Sequence, residues 1–335
     1  MALKVGVIGV GVIGQDHIRR LTTVLAGAEV VAVTDTDSAR AQDVAAQYGI
    51  ATVHATGEEL IASDDVEAIL VGSWGPTHQQ YVLAAIAAGK PVFCEKPLAT
   101  TREACLSIVE AEVAYGRRLV QVGFMRHYDP AYRAVKDVLE AGELGDVLMA
   151  HCVHRNASVT HSWTSDMLLN DAGLHEFDIL RWLFDDDIVA TQVLKVRHNV
   201  DAPANLDDPL LVLMQFRKGG WANVEVTMNS HYGYDVRTEI VCDKGTVALP
   251  ETESAVVKVN GQRSSRVSAD WRERFIIAYD IEIQEWVNAA TAGTATGPSA
   301  WDGYLATAGA EAAIRSLNTG ALELLDVQER PNFYA

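Results

Sequence analysis

Apolar, β-branched runs recur at regular intervals through the first third of the chain. They are "KVGVIG" (4–9), "EVVAVTD" (29–35), "EAILVGS" (67–73), "KPVFCEK" (90–96) and "RLVQVGF" (118–124). Each is apolar at successive positions rather than alternate ones, as expected of strands in a parallel sheet covered on both faces. Helical patterns such as "THQQYVLAAIAAG" (77–89) and "TREACLSIVEAEVAYG" (101–116) separate them. This alternation predicts a doubly wound α/β domain over residues 1–123. From residue 124 the grammar changes. Helices are predicted near 130–141 and 171–184. Long strands follow: "DPLLVLMQF" (208–216), "GGWANVEVTMN" (219–229), "DVRTEIVCD" (235–243) and "GTVALP" (245–250). Turn residues Lys218-Gly219-Gly220 and Asp243-Lys244-Gly245 separate them. This predicts an α+β domain over 124–335, with a large, mostly antiparallel open sheet and helices on one face. Two helical stretches, near 271–292 and 300–318, close the chain.

The first strand runs into Gly9-Val10-Gly11-Val12-Ile13-Gly14. A G-x-G-x-x-G alone is weak evidence. Here it follows a strand, opens a helix, and precedes Asp35, which ends the second strand 21 residues after Gly14. That context predicts a Rossmann dinucleotide site. Gly9 permits the tight turn, Gly11 admits a pyrophosphate to the backbone, and Gly14 lets helix and strand pack closely. Val12 and Ile13 start the helix whose N-terminus stabilises the diphosphate. Asp35 would accept hydrogen bonds from ribose hydroxyls and, with Asp37, repel a 2′-phosphate. Arg40 could offset these acids, but its expected place is the surface of the following helix. NAD, rather than NADP, is the expected cofactor.

Ligands of open α/β sheets bind beyond the carboxyl ends of the strands. "SWGPTH" (73–78), "CEKPLAT" (94–100) and "GFMRHYD" (123–129) occupy such positions. Lys96 stands there beside Pro97; its plain alternative is a solvent-facing loop lysine. The helical stretch "NDAGLHEFDILRW" (170–182) adds a second candidate. At 100° per residue, Asp171, His175, Asp178 and Trp182 fall within about 60° of one another. A solvated face is the plain reading of this stripe, and a catalytic histidine with its carboxylate is the sharper one. Histidine is the natural base near neutral pH. A carboxylate one turn earlier can set its tautomer, and a nearby ammonium can stabilise an alkoxide. Asp178 is expected to hold the helix against the Rossmann domain, Trp182 to pack at the domain interface, Glu176 to be solvated, and "DDD" (185–187) to form an exposed turn.

At 335 residues, with 49% hydrophobic and 21% charged residues, the chain can bury a core without disulfides. A formal net charge of −18 disfavours nucleic acid and anionic membranes as partners. Cys94, Cys105, Cys152 and Cys242 form no C-x-x-C pair. His151, His154, His161, His198 and His231 show no ligand spacing, so no metal site is expected. No apolar run approaches the roughly 18 residues of a membrane span. The first strand begins too early for a signal peptide, and a cytoplasmic location is expected.

The glycine turn, Glu95-Lys96-Pro97 and the Asp171–His175 pair together resemble the Gfo/Idh/MocA oxidoreductases over essentially the whole chain. "SWGPTH", "FCEKPLATT", "RLVQVGFMRHYDP", "HCVHRN", "HYGYDVRTEIV", "DWRERFIIAYDIEIQEW" and "GPSAWDGY" are similar to members of that family that act on inositol. The resemblance implies NAD-dependent oxidation of myo-inositol to 2-keto-myo-inositol (scyllo-inosose). It also implies a homotetramer built through the C-terminal sheet. Lys96, Asp171 and His175 match the catalytic positions. Met125, Arg126, Asn156 and Tyr234, with Asp171 and His175, match substrate contacts. Ser73, Trp74, Glu95 and Lys96 match positions at the nicotinamide half of the cofactor. Trp271, Arg274 and Tyr279 resemble a segment bordering the cleft, with packing of a helix start against the sheet as the equal alternative. His127 stands where close relatives tend to carry a second arginine, and "ASVTHSWTSDMLLN" (157–170) departs from the pattern. These departures leave scyllo-inositol, chiro-inositol or a pyranose sugar as alternative substrates. A non-catalytic NAD-sensing regulator on the same fold is a further alternative; the intact Lys96, Asp171 and His175 disfavour it.

Overall fold

The computed structural model describes residues 2–252 and 254–335. Two compact units are present. The first comprises Met1–His127, Tyr279–Thr307 and Gln328–Ala335, and the second Tyr128–Ala278 and Ala308–Val327.

In the first unit, strands β1 (Leu3–Ile8), β2 (Ala28–Thr34), β3 (Thr52–Val53), β4 (Ala68–Val71), β5 (Val92–Glu95) and β6 (Val120–Gly123) form one sheet. Helices α1 (Val12–Thr23), α2 (Ser38–Tyr48), α3 (Gly57–Ala62), α4 (His78–Ala87) and α5 (Arg102–Tyr115) alternate with them. The order is β3-β2-β1-β4-β5-β6, with every neighbouring pair parallel. Strands β4, β5 and β6 are buried at every position, which is why they read as unbroken apolar runs. Strand β3 is two exposed residues and left no such run. The order reverses between β1 and β4, so a crevice opens there at the carboxyl edge.

The second unit contains α6 (Pro130–Glu140), β7 (Val147–Arg155), α7 (Leu174–Phe184), β8 (Ile188–Lys195), β9 (Leu210–Phe216), β10 (Trp221–Thr227), β11 (Asp235–Cys242) and β12 (Gly245–Ala248). A small hairpin β13 (Val257–Val259) and β14 (Gln262–Ser264) precedes helix α8 (Trp271–Arg274). Helices α9 (Ile276–Thr291) and α10 (Ala300–Thr319) follow, then β15 (Glu323–Leu324). The large sheet runs β12-β11-β7-β10-β9-β8-β15. Its pairs are antiparallel except β7 with β10. Strands β7 and β8 were not among the expected strands. Central β7, "VLMAHCVHR", carries histidines and an arginine between its apolar residues and alternates imperfectly between buried and exposed.

Two expectations about helices need correction. The stretch near 271–292 is two helices, interrupted at the buried Phe275. Ile283, Trp286, Val287 and Ala290 of α9 then join the first unit's core, with Val5, Val7, Ile18, Leu70 and Phe93. Their i, i+3, i+4, i+7 spacing is an apolar stripe that seeks a partner regardless of chain order. The predicted helix 171–184 is also not a single α-helix. A π-helical turn, Leu168–Ala172, carries Asp171 and precedes α7. The Gly173 N–H donates to the Leu168 carbonyl, so the ring spans five residues rather than four. The stripe drawn at constant pitch therefore does not apply to Asp171.

The turn 185–187 is engaged rather than simply exposed. Asp187 accepts from Arg181 at 2.9 Å, and Asp186 accepts from the Lys218 N–H at 2.8 Å. Trp182 packs within its own unit: its carbonyl accepts from Lys136 Nζ, which also lies 5.6 Å from the indole ring. The end of α7 is seated on the sheet by Phe184 stacking on Phe216, with ring centroids 3.9 Å apart. Among the described residues, no helix is long and apolar enough to cross a membrane, and no group of three side chains is placed to hold a metal. The four cysteines are buried, and none is in a disulfide among the described residues.

Candidate active site

A cavity of about 480 Å³ opens at the carboxyl edge of the first sheet, with Gly9, Gly11, Asp35, Arg40, Ser73 and Trp74 in its wall. The glycines shape it for different reasons. Gly9 has φ +90°, and a Cβ there would stand 2.5 Å from the Ser73 backbone. A Cβ on Gly14 would meet the Gly9 carbonyl oxygen at 2.0 Å, so β1 and α1 approach too closely for any side chain. At Gly11 a Cβ would meet nothing within 4 Å. The space left there adjoins the first turn of α1, which has no side-chain cap. Uncapped N–H groups facing open space suit a diphosphate, so these residues fit a dinucleotide. Val12 is 65% exposed at the start of α1, and Ile13 is half-buried beside it.

Asp35 is held from several sides. Its Oδ2 accepts from the Val10 N–H (2.8 Å), and its Oδ1 from the Asp37 N–H and Arg40 Nη2 (both 2.9 Å). Burial favours the protonated acid, but these donors outweigh it and hold the carboxyl below the usual range. Arg40 lies on the surface of α2, as expected, with its side chain 43% exposed, and its guanidinium also pairs with Asp35 in the cavity wall.

Trp74 is a large apolar side chain left 78% exposed in the cavity wall. Its loop is wound tightly. The Thr77 N–H and Oγ1–H both donate to the Trp74 carbonyl (2.8 and 2.7 Å), and Ser73 Oγ lies 2.7 Å from Thr77 Oγ1. At the end of β5, Glu95 turns inward. Its Oε1 accepts from His17 Nε2 at 2.7 Å, and its Oε2 from the Lys96 N–H at 3.2 Å. Lys96 begins the next loop, and its peptide bond to Pro97 is cis. Met125 and Arg126 follow β6 in a short 3-10 turn, both 1% exposed.

In the second unit His175 lies in the first turn of α7, four residues beyond Asp171. The His175 ring centroid is 6.3 Å from that of His154 on β7, and Tyr234 meets His154 edge-on at 5.6 Å. His154 Nδ1 donates to Glu176 Oε2 at 3.0 Å, with both side chains almost wholly buried. Glu176 was expected in solvent. Every residue of α7 from Leu174 to Leu180 is buried, so this segment has no solvated side. Asn156 stands just past β7. Its N–H donates to Thr227 O, and its carbonyl accepts from Ser230 N–H and Oγ–H. Its side-chain Oδ1 is buried with no hydrogen-bond partner among the described residues, an acceptor suited to a hydroxyl donor. Arg274 pairs with Asp129 at 3.0 Å and so ties α8 to the start of α6. Tyr279 instead packs in the first unit, edge-on to His17 and beneath Arg20.

The His154–Glu176 pair was missed from sequence, whereas the approach of Arg40 to Asp35 was the lesser of two readings. "HCVHRN" marked His154 only as a neighbour of Asn156, and nothing in the local pattern around Glu176 signals its burial.

Comparison with known proteins places these features in context. The family model for the NAD-binding Rossmann fold of the Gfo/Idh/MocA oxidoreductases matches residues 3–124, and that for their C-terminal alpha/beta domain matches 136–324. The chain is 50% identical to an inositol 2-dehydrogenase of Burkholderia lata, over 100% of this chain and 99% of the relative. It is 51% identical to one of Pseudomonas syringae pv. syringae, with 100% of each covered. The solved myo-inositol dehydrogenase of Lactobacillus casei, in complex with NAD(H) and myo-inositol, matches with a TM-score of 0.97 at 37% identity, covering 100% of both chains.

Proposed function

This chain belongs to the Gfo/Idh/MocA oxidoreductase family, and from that premise we propose that it oxidises myo-inositol to 2-keto-myo-inositol with NAD. One observation carries this reading: half of all positions, end to end, are identical to those of enzymes named inositol 2-dehydrogenase. Gly9, Gly11, Val12, Ile13 and Gly14 seat the diphosphate. Asp35 holds the adenosine ribose, and Ser73, Trp74 and Glu95 shape the nicotinamide end. Bound NAD would supply the acceptor for the hydride that leaves the carbinol carbon. His175 takes the hydroxyl proton, and Asp171 orients the ring and favours the imidazolium that forms. The Lys96 ammonium stabilises negative charge developing on the oxygen. Asn156 Oδ1 accepts from a ring hydroxyl, and Met125, Arg126 and Tyr234 complete the substrate contacts. Residues 1–123 serve the cofactor, and 124–335 serve substrate and assembly into a homotetramer through the seven-stranded sheet. The setting is inositol catabolism in the cytoplasm.

The test is cofactor reduction, followed by ultraviolet absorbance, with myo-, scyllo- and chiro-inositol and glucose, each with NAD and NADP. Preferred turnover of myo-inositol with NAD is expected. A His175→Ala control should lose about a thousandfold in kcat while keeping NAD affinity. No turnover with any of the four polyols refutes the reading.

A further inference from the structure

The loops after β4 and β5 share one buried side chain that has so far been given no role. His78 opens α4 and is 1% exposed. Its Nε2 lies 2.9 Å from the Ser73 carbonyl oxygen and its Nδ1 2.6 Å from the Pro97 carbonyl oxygen. Carbonyl oxygens only accept, so each of these bonds needs a ring N–H. The contact to Ser73 holds the root of the loop that presents Trp74 to the cavity. The contact to Pro97 holds the residue directly after Lys96. The two loops also lie close together: a Cβ built on Gly75 would sit 3.6 Å from Pro97 Cγ and 3.4 Å from Thr100 Cγ2. The bonds of Thr77 to Ser73 and Trp74, in contrast, stay within the first loop.

We propose that His78 is a positioning residue, a buried imidazole strap between the two loops. It keeps the Lys96 backbone and the Ser73–Trp74 wall at one spacing, and its loss lowers turnover without unfolding the protein. This rests on the role given above to Lys96. Burial lowers the pKa of the ring. The Pro97 and Ser73 carbonyls and Glu95 raise it, Lys96 adds to the lowering, and the net direction is down. The neutral ring so favoured donates to one of the two carbonyls and meets the other loop by packing; only the imidazolium donates to both.

Two variants of the full-length protein test the strap. His78→Phe keeps a ring and removes both N–H groups; His78→Gln restores an amide donor. The readouts are the unfolding midpoint, NAD affinity by fluorescence titration, and kcat for myo-inositol per NAD-binding site. His78→Phe should fold, lose about thirtyfold or more in kcat, and bind NAD about three- to tenfold more weakly, because small displacements of reacting groups are costly. His78→Gln should recover most of both losses. A folded His78→Phe with wild-type kcat and NAD affinity overturns the proposal. So does a folded His78→Gln no better than His78→Phe, or a protein that unfolds in both forms. A wild type that binds NAD but turns over no polyol refutes the reaction instead, and the NAD titrations of the variants still decide the strap.

Discussion

Asp35 and Arg40 show how much one side chain's direction matters. The carboxylate's place just past β2, in the cavity wall, was legible from its spacing after the glycines. Its partner was only half legible. Arg40 lies five residues further along and reads chiefly as a surface helix position; it is exposed there, and its guanidinium also reaches Asp35 at 2.9 Å. A positive group therefore stands beside the carboxylate that we propose disfavours a 2′-phosphate. Asp35→Ala should release it, raising the NADP/NAD ratio of kcat/KM by about tenfold or more, the scale of one charge-assisted hydrogen bond. Steady-state kinetics with both cofactors measures this, and an unchanged ratio removes Asp35 from cofactor choice. Glu176 makes the same point from the second unit. Its identity promised solvent, and only the burial of α7 on all sides gives it His154 as a partner.

Among the elements, those with a uniform environment were readable. Strands β1, β2, β4, β5 and β6 coincide with the apolar runs, since a parallel sheet between helices demands apolar residues on both faces. Strand β7 escaped because its partly exposed face admits His151, Val153 and Arg155 between buried neighbours. The helix at 271–292 was readable as helical pattern but not as to where it belongs. Trp286 of α9 is 2% exposed, with its ring 5.8 Å from Phe93 of the first sheet. Trp286→Ala should cost about 3–5 kcal/mol, the usual range for an aromatic removed from a packed core. Urea unfolding monitored by circular dichroism would show this as a lower midpoint at unchanged slope. A loss below about 1 kcal/mol would mean that α9 is dispensable to that core.

For the whole molecule, charge sets the response to acid. Asp16, Asp35 and Asp235 are all held below the usual carboxyl range. In each, burial pulls upward and is outweighed: by Arg20 and Arg19 at Asp16, by backbone N–H groups and Arg40 at Asp35, and by Arg237, Tyr232 and Arg155 at Asp235. Glu225 is lowered chiefly by its bonds to Arg155, against burial. For all four, the unfolded chain takes up protons at a higher pH than the folded one. Their stabilisation is therefore present above about pH 4–4.5 and is lost as pH falls through the folded values. His78 is lowered as well, so the unfolded chain again binds its proton first, and this loss begins below about pH 6.5. Thermal midpoints should be flat near neutrality, decline gently below about pH 6.5, and fall steeply below about pH 4.5. A midpoint that rises on acidification contradicts these assignments. The sequence by itself determined the two-part architecture, the dinucleotide turn and the family, because periodicity and glycine geometry are local properties that neighbouring residues enforce. The tertiary structure alone decided which core takes α9, where Arg40 and Glu176 turn, and that His78 joins two loops. Those outcomes depend on burial and on partners brought together from distant positions, which no local pattern records.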